Sequence, residues 1–213
     1  MPPTRRALAD ASAELARRDP VLRAMVERLG PCDLRRGRPR RDHFAELARS
    51  ILYQQLAGKA AAAIHARFAA LFDGEVPTPE ATLALPVARL RAVGLSGSKA
   101  ASIRDLAERV LDGSVQLDRV ARLPDDEIVR ELTLVRGIGR WTAEMFLIFQ
   151  LGRLDVWPVG DYGVRKGYAR LYGEPELPSP KQLESLGDPF RPYRSVAAWY
   201  CWRAVDTVLP DGA

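Results

Sequence analysis

Cysteine and histidine are scarce in this 213-residue sequence, which holds two of each: Cys32, Cys201, His43 and His65. The thiols are too few and too far apart in sequence for a four-thiolate cluster or a zinc knuckle, and the histidines do not stand at metal-ligand spacing. No protein-bound transition metal is implied; the thiols read as reduced and partly buried, in a reducing compartment. Long apolar runs are missing as well. No stretch approaches the roughly twenty uninterrupted apolar residues of a membrane span. The N-terminal MPPTRRALADASAELARRD carries charge throughout, without the apolar core of a signal peptide. The expected location is the cytoplasm, with no membrane partner. Internal repeats and long low-complexity linkers are absent, and so is the clean alternation of a half-buried strand.

What is present is apolar periodicity and positive charge. With 47% apolar and 28% charged residues, the chain is long enough to bury a substantial core, as one domain or two small lobes. A net charge of +5 and a pI near 9.5 suit a polyanionic partner, because cationic side chains displace counterions from phosphates. Charge alone does not separate a nucleic-acid binder from an arginine-rich protein of another kind. Phe44, Leu47, Ile51 and Leu52 recur three or four apart, as do Ile64, Phe68, Leu71 and Phe72, the spacing of amphipathic helices packed on a core. Thr78-Pro79 and Leu85-Pro86 suit helix starts, and Gly94, Gly113 and Gly152 suit helix ends. The expected fold is all-α, with helices over 4–18, 20–29, 43–56, 59–72, 79–84, 86–92, 98–112, 125–135, 140–151, 162–172, 180–186 and 192–208. Gly37 and Pro39 interrupt any helix in the basic run from Arg35 to Arg41, which reads as a loop able either to touch a DNA backbone or to serve as a solvated connector.

Residues 123–171 are the specific part: LPDDEIVRELTLVRGIGRWTAEMFLIFQLGRLDVWPVGDYGVRKGYARL. Leu132 and Val135 close one helix, Gly137-Ile138-Gly139 forms a tight turn, and Trp141 to Phe149 opens another helix with an intensely apolar face. Glycines permit positive φ and close approach of the main chain to another surface. The free N–H groups at the start of the second helix can hold a phosphate oxygen, helped by the helix dipole. Arg140 and Thr142 flank that point and could add contacts. Such a grip gives affinity without reading sequence; the same turn also serves as a plain corner of a helical core. Downstream, Asp161 precedes a helix expected from Tyr162, so its carboxylate is placed to cap backbone N–H groups and is favoured in its ionised form there.

These strings carry a resemblance. LVRGIGRWTAEMFLIF followed by D-V-W-P and G-D-Y-G resembles the signature of the helix-hairpin-helix (HhH-GPD) DNA glycosylases, and most of all those of the 3-methyladenine DNA glycosylase II type. ILYQQLAGKAAAAI at 51–64, RAVGLSGSKAASIRDLAE at 91–108 and FRPYRSVAAWYCWRA at 190–204 resemble the same family in the same order, so the likeness covers residues 8–206. Two departures are visible. The chain leaves no room for the extra N-terminal β-rich domain of longer members, and it lacks the four closely spaced cysteines of members with an iron–sulfur cluster.

The resemblance implies two helical lobes with an active-site cleft between them: 1–45 plus 165–213, and a central lobe 46–164 that contains the helix-hairpin-helix at 125–151. It implies a monomer that removes alkylated purines from double-stranded DNA in base excision repair. Asp161 is the implied catalytic carboxylate. Gly137, Gly139, Arg140 and Thr142 would contact DNA. The Gln54-Gln55-Leu56 corner would supply the wedge that fills the stack once a base is flipped out, with Gln55 ahead of Leu56. A cationic alkylated base is favoured on electron-rich rings; Trp141 and Trp202 align with pocket aromatics of the family, and Tyr53 and Trp157 are further candidates. Bifunctional members place a lysine directly after the hairpin, where it forms a Schiff base with the sugar. Here that position is Trp141, so an intact abasic site is the expected product. No cofactor is expected, apart from the monovalent cation that the family can hold on hairpin carbonyls. Glycosylases for oxidised, deaminated or mismatched bases share the fold, and similar hairpins occur in purely DNA-binding modules.

Overall fold

In a computed structural model, residues 3–34 and 42–205 are described, so the basic run 35–41 and the tail 206–213 lie outside the described residues. All regular structure within them is helical. In chain order the α-helices are α1 (Arg5–Arg18), α2 (Pro20–Leu29), α3 (His43–Tyr53), α4 (Gly58–Ala69), α5 (Pro79–Ala84) and α6 (Val87–Ala92). They continue with α7 (Gly97–Leu111), α8 (Asp125–Thr133), α9 (Arg140–Met145), α10 (Tyr162–Tyr172), α11 (Pro180–Leu186) and α12 (Arg194–Ala204). No helix among the described residues is long and apolar enough to cross a membrane.

Local chemistry accounts for many of the boundaries. Asp19 ends α1 and starts α2, accepting the N–H of Leu22 while Pro20 fills the first position of α2, where a missing N–H costs nothing. Asp42 caps α3, Thr78 caps α5 and Ser96 caps α7. Ser179 and Gln182 form a reciprocal capping box ahead of α11. Gly94, Gly113 and Gly152 take positive φ at helix ends, as their placement in the sequence suggests.

The described residues divide into two units, one of 3–34 and 147–205 and the other of 42–146. In the first, α12 buries Val196, Trp199, Tyr200, Cys201 and Trp202 together, so it is apolar on nearly every face and forms the core rather than covering it. On it pack α1, α2 and α10. Gly167 of α10 lies against the backbone of Cys201 so closely that a Cβ there would overlap the carbonyl. In the second, α7 is central: it buries Ala100, Ile103, Leu106 and Ala107 against α3, α5 and α6. Each fully buried Leu or Ile there contributes about 1.5–3 kcal/mol of transfer free energy.

The structure departs from the sequence reading in three ways that bear on the site. The second unit ends at Phe146 instead of 164, because the segment from 147 onward is tied to α11 and α12. Phe149 stacks on Trp202, Val156 N–H donates to Ser195 Oγ, and the Trp157 indole N–H donates to the Leu183 carbonyl. The helix expected over 140–151 changes at Phe146 into a π-helical segment, Phe146–Leu151, a wider winding that is frequent at functional sites. The helix expected to run to Leu56 stops at Tyr53, and Gln55 adopts a left-handed φ of 55°. The cause is a side chain far away in sequence: Lys99 occupies the carbonyls of Leu52 and Gln54.

Candidate active site

Asp161 stands at the N-cap of α10, where its side chain accepts the N–H of Val164 at 2.8 Å. The same oxygen, Oδ1, accepts the indole N–H of Trp202 at 2.8 Å. Asp161 as a whole is only 9% exposed, so a charge-bearing residue has been taken largely out of water and given a backbone donor, an indole donor and the positive end of a helix in exchange. This fixes the direction of the carboxylate. Gly163 makes the Trp202 bond possible, since a Cβ on it would come within 2.8 Å of Trp202 Cδ1 and 3.1 Å of Asp161 Oδ1. Beside the carboxylate, Tyr162 is 63% exposed.

The aromatic candidates separate into different roles. Trp202 is 4% exposed, stacked on Phe149 with centroids 5.6 Å apart, and its N–H goes to Asp161. It is thus a partner of the carboxylate and not an open stacking face for a base. Trp157 is likewise corrected: it is buried, bonded to the Leu183 carbonyl, tilted against Phe190 and pressed against Gly187, all of which make it a packing residue. Trp141 is the large open indole, at 41% exposure. Tyr53 is half-buried, with the Arg49 guanidinium 4.2 Å above its ring and His65 at its edge.

The second unit holds the remaining candidates. After α8, Val135 ahead of the turn and Ile138 within it bury their apolar side chains. Gly137 takes a φ of 80°, and a Cβ there would come within 2.8 Å of Ser102 Oγ, so both conformation and space call for glycine. Gly139 has an ordinary φ of −91° as N-cap of α9 and open space where a Cβ would go; of the two glycines, Gly137 is the one that uses the positive φ that glycine permits. Ala143 N–H is the first to reach back into the helix, to Gly139 O, so the amides of Arg140, Trp141 and Thr142 form the helix start. The Arg140 side chain is 74% exposed and its Nε is held 2.9 Å from buried Glu144. Thr142 is 7% exposed, and its backbone N–H stands at the helix start with those of Arg140 and Trp141. The Gln54-Gln55-Leu56 corner sits against this turn: Gln54 Nε2 donates to Gly137 O at 2.9 Å, with Gln55 and Leu56 exposed.

Residues 48–192 match the HhH-GPD superfamily of base excision DNA repair proteins. The chain belongs to that superfamily. It is 35% identical over 198 residues to DNA-3-methyladenine glycosylase 1 of Schizosaccharomyces pombe, covering 92% of this chain and 87% of that one. A solved structure of 3-methyladenine DNA glycosylase from the same yeast, in complex with abasic DNA, superposes with a TM-score of 0.81 at 33% identity, over 94% of this chain and 98% of that one. A DNA-3-methyladenine glycosidase from Bacillus halodurans superposes with a TM-score of 0.83 at 36% identity, over 92% and 89%.

Within the HhH-GPD chain, three contributors escape a reading by residue type. Gly163 and Gly167, four apart on α10, let Trp202 and the α12 backbone approach; their spacing is the signal. Lys99 carries no signal of its own, being one lysine on an ordinary helix. As for metals, the described residues contain no group of three or more His, Cys, Asp or Glu that could hold one. The hairpin carbonyls are a different donor set. Val135 O accepts from Ile138 N and Gly137 O from Gln54 Nε2, and each keeps a second lone pair. Neutral oxygens of this kind fit a weakly held monovalent cation.

Proposed function

We propose that this chain is a monofunctional DNA glycosylase that hydrolyses the N-glycosidic bond of alkylated purines in double-stranded DNA, leaving an abasic site. The observation that carries the proposal is Asp161: a buried carboxylate at a helix start, oriented by the N–H groups of Val164 and Trp202, in a chain of the HhH-GPD superfamily.

As the base departs, positive charge develops on the deoxyribose, and a fixed carboxylate stabilises that charge without having to reorganise. Being an acceptor, it can also orient or deprotonate the attacking water. Alkylation at purine N3 or N7 makes the base cationic and a good leaving group, so no strong general acid is needed. The expected lysine nucleophile is replaced by Trp141, whose indole cannot form a Schiff base, and this supports hydrolysis without strand scission. The exposed Trp141 ring offers a face to a cationic base. The α9 amides and Arg140 are suited to the phosphate backbone, and Gln55 and Leu56 to the space a flipped base vacates. A monovalent cation on the Val135 and Gly137 carbonyls would add positive charge beside that phosphate.

The test is to incubate the protein with duplexes that carry 3-methyladenine, 7-methylguanine, 8-oxoguanine or no lesion, and to assay released base before and after alkali. Release of the methylated purines, with strand scission only after alkali, is expected. Release of 8-oxoguanine alone, or binding without any release, would overturn the proposal.

A further inference from the structure

Lys99 has no part in the chemistry above, yet its ammonium spans the point where α3 stops. Nζ donates to Leu52 O at 2.7 Å and to Gln54 O at 2.6 Å. These carbonyls belong to the negative end of the α3 dipole, where a cation is favoured. Partial burial strips water from the ammonium and lowers its pKa, so the two carbonyls replace hydration that the side chain has lost. Directly after them Gln55 takes its left-handed φ of 55°, unfavourable for a residue with a Cβ and kept only where surrounding contacts hold it.

Two more residues of α7, each three further along, reach the hairpin. Ser102 Oγ lies under Gly137. Asp105 Oδ2 accepts the N–H of Arg136 at 2.7 Å and is itself held by Arg109 Nε at 3.0 Å. Residues spaced by three share one side of a helix. The loop closes through Gln54 Nε2 on Gly137 O at 2.9 Å. One side of α7 therefore fixes both the Gln54-Gln55-Leu56 corner and the hairpin turn, which ties their spacing to a rigid helix.

We propose that Lys99 is a positioning residue that holds the corner in the conformation in which Gln55 and Leu56 enter the duplex, with α7 setting the corner's register relative to the hairpin. This rests on the reading of that corner as the wedge. The ammonium touches neither DNA nor the reacting atoms; it acts through the carbonyls of Leu52 and Gln54.

The experiment uses the full chain and a duplex in which 2-aminopurine lies opposite a tetrahydrofuran abasic analogue, so that fluorescence reports insertion into the stack. Lys99→Met is expected to lose the insertion signal and about tenfold of the preference for the abasic duplex over an intact one, as removing a charged hydrogen-bond donor does. Binding to the intact duplex should stay within about twofold, since the phosphate contacts are elsewhere. Lys99→Arg, which keeps charge and donors, should restore both readouts, and Lys99→Gln should fall between. Loss of the signal in a Gln55→Ala/Leu56→Ala variant but not in Lys99→Met overturns the proposal while leaving the wedge intact. An unchanged signal in the double variant overturns the wedge reading and the proposal with it. Equal loss on abasic and intact duplexes in both Lys99→Met and Lys99→Gln shows a merely structural lysine and also overturns it.

Discussion

The indole N–H of Trp202 and the backbone N–H of Val164 converge on one oxygen of Asp161, each at 2.8 Å. One donor comes from α12 and the other from the first turn of α10, so the direction of the carboxylate depends on the packing of two helices and not on a loop. Trp202→Phe keeps an aromatic ring against Phe149 but removes the donor. Losing a hydrogen bond to a charged group costs about 1.5–3 kcal/mol, and part of that cost falls on catalysis when the group must point at a developing charge. Single-turnover base release should drop about tenfold or more, while affinity for an abasic duplex changes little. An unchanged rate would show that the Trp202 donor is not needed to orient the carboxylate.

Asp161→Asn is the sharper change because it is nearly isosteric. The amide oxygen can still accept from Val164 and Trp202, so α10 keeps its cap and the melting temperature should move little. What disappears is the negative charge. Base release should fall a hundredfold or more, the scale on which removing a preorganised electrostatic group acts, with DNA binding preserved in a filter or anisotropy assay. Near-normal release would contradict the assignment of this carboxylate.

Both thiols are buried, Cys32 at 4% and Cys201 at 1% exposure. Desolvation pushes both far up from the ordinary thiol range, and the negative charge of Asp161 adds to it at Cys201. The thiolate is the reactive form, so neither residue should react with a disulfide reagent such as DTNB in the native protein at pH 8. Both should react on unfolding in guanidinium. A fast-reacting equivalent in the native state would show that one of these sites opens.

The helices were legible because their signals are local. Apolar spacing in Phe44, Leu47, Ile51 and Leu52, and punctuation such as Thr78-Pro79 and Leu85-Pro86, act within a turn or two of the residues they govern. Asp161 was placed at a helix start by the same local logic. What stayed hidden depends on distant contacts. The end of α3 is set by Lys99, 47 residues beyond Leu52, so periodicity carried that helix three residues too far, to Leu56 instead of Tyr53. Trp202 resembled a pocket aromatic because residue type does not reveal that its N–H is taken by a carboxylate 41 residues earlier. Trp157 misled in the same way, through a bond to Leu183 O.

The glycines of α10 give a graded test of how α10 and α12 fit together. At Gly167 a Cβ would overlap the Cys201 carbonyl, and a backbone cannot swing aside as a side chain can. Gly167→Ala should therefore force α10 away from α12 at a cost of about 1–3 kcal/mol or more, visible as a lower denaturation midpoint. At Gly163 the obstacle is the Trp202 ring at 2.8 Å, a side chain wedged against Phe149. Gly163→Ala has two opposing effects, because alanine is the better helix former by about 1 kcal/mol while the ring must shift to admit the methyl group. The ring shift breaks or lengthens the bond from Nε1 to Asp161, so stability should change little while base release falls, in the same direction as in Trp202→Phe. Combining the two substitutions should cost little more than either alone, since both remove one interaction. Additive losses would mean that Gly163 acts on the reaction by a route other than Trp202.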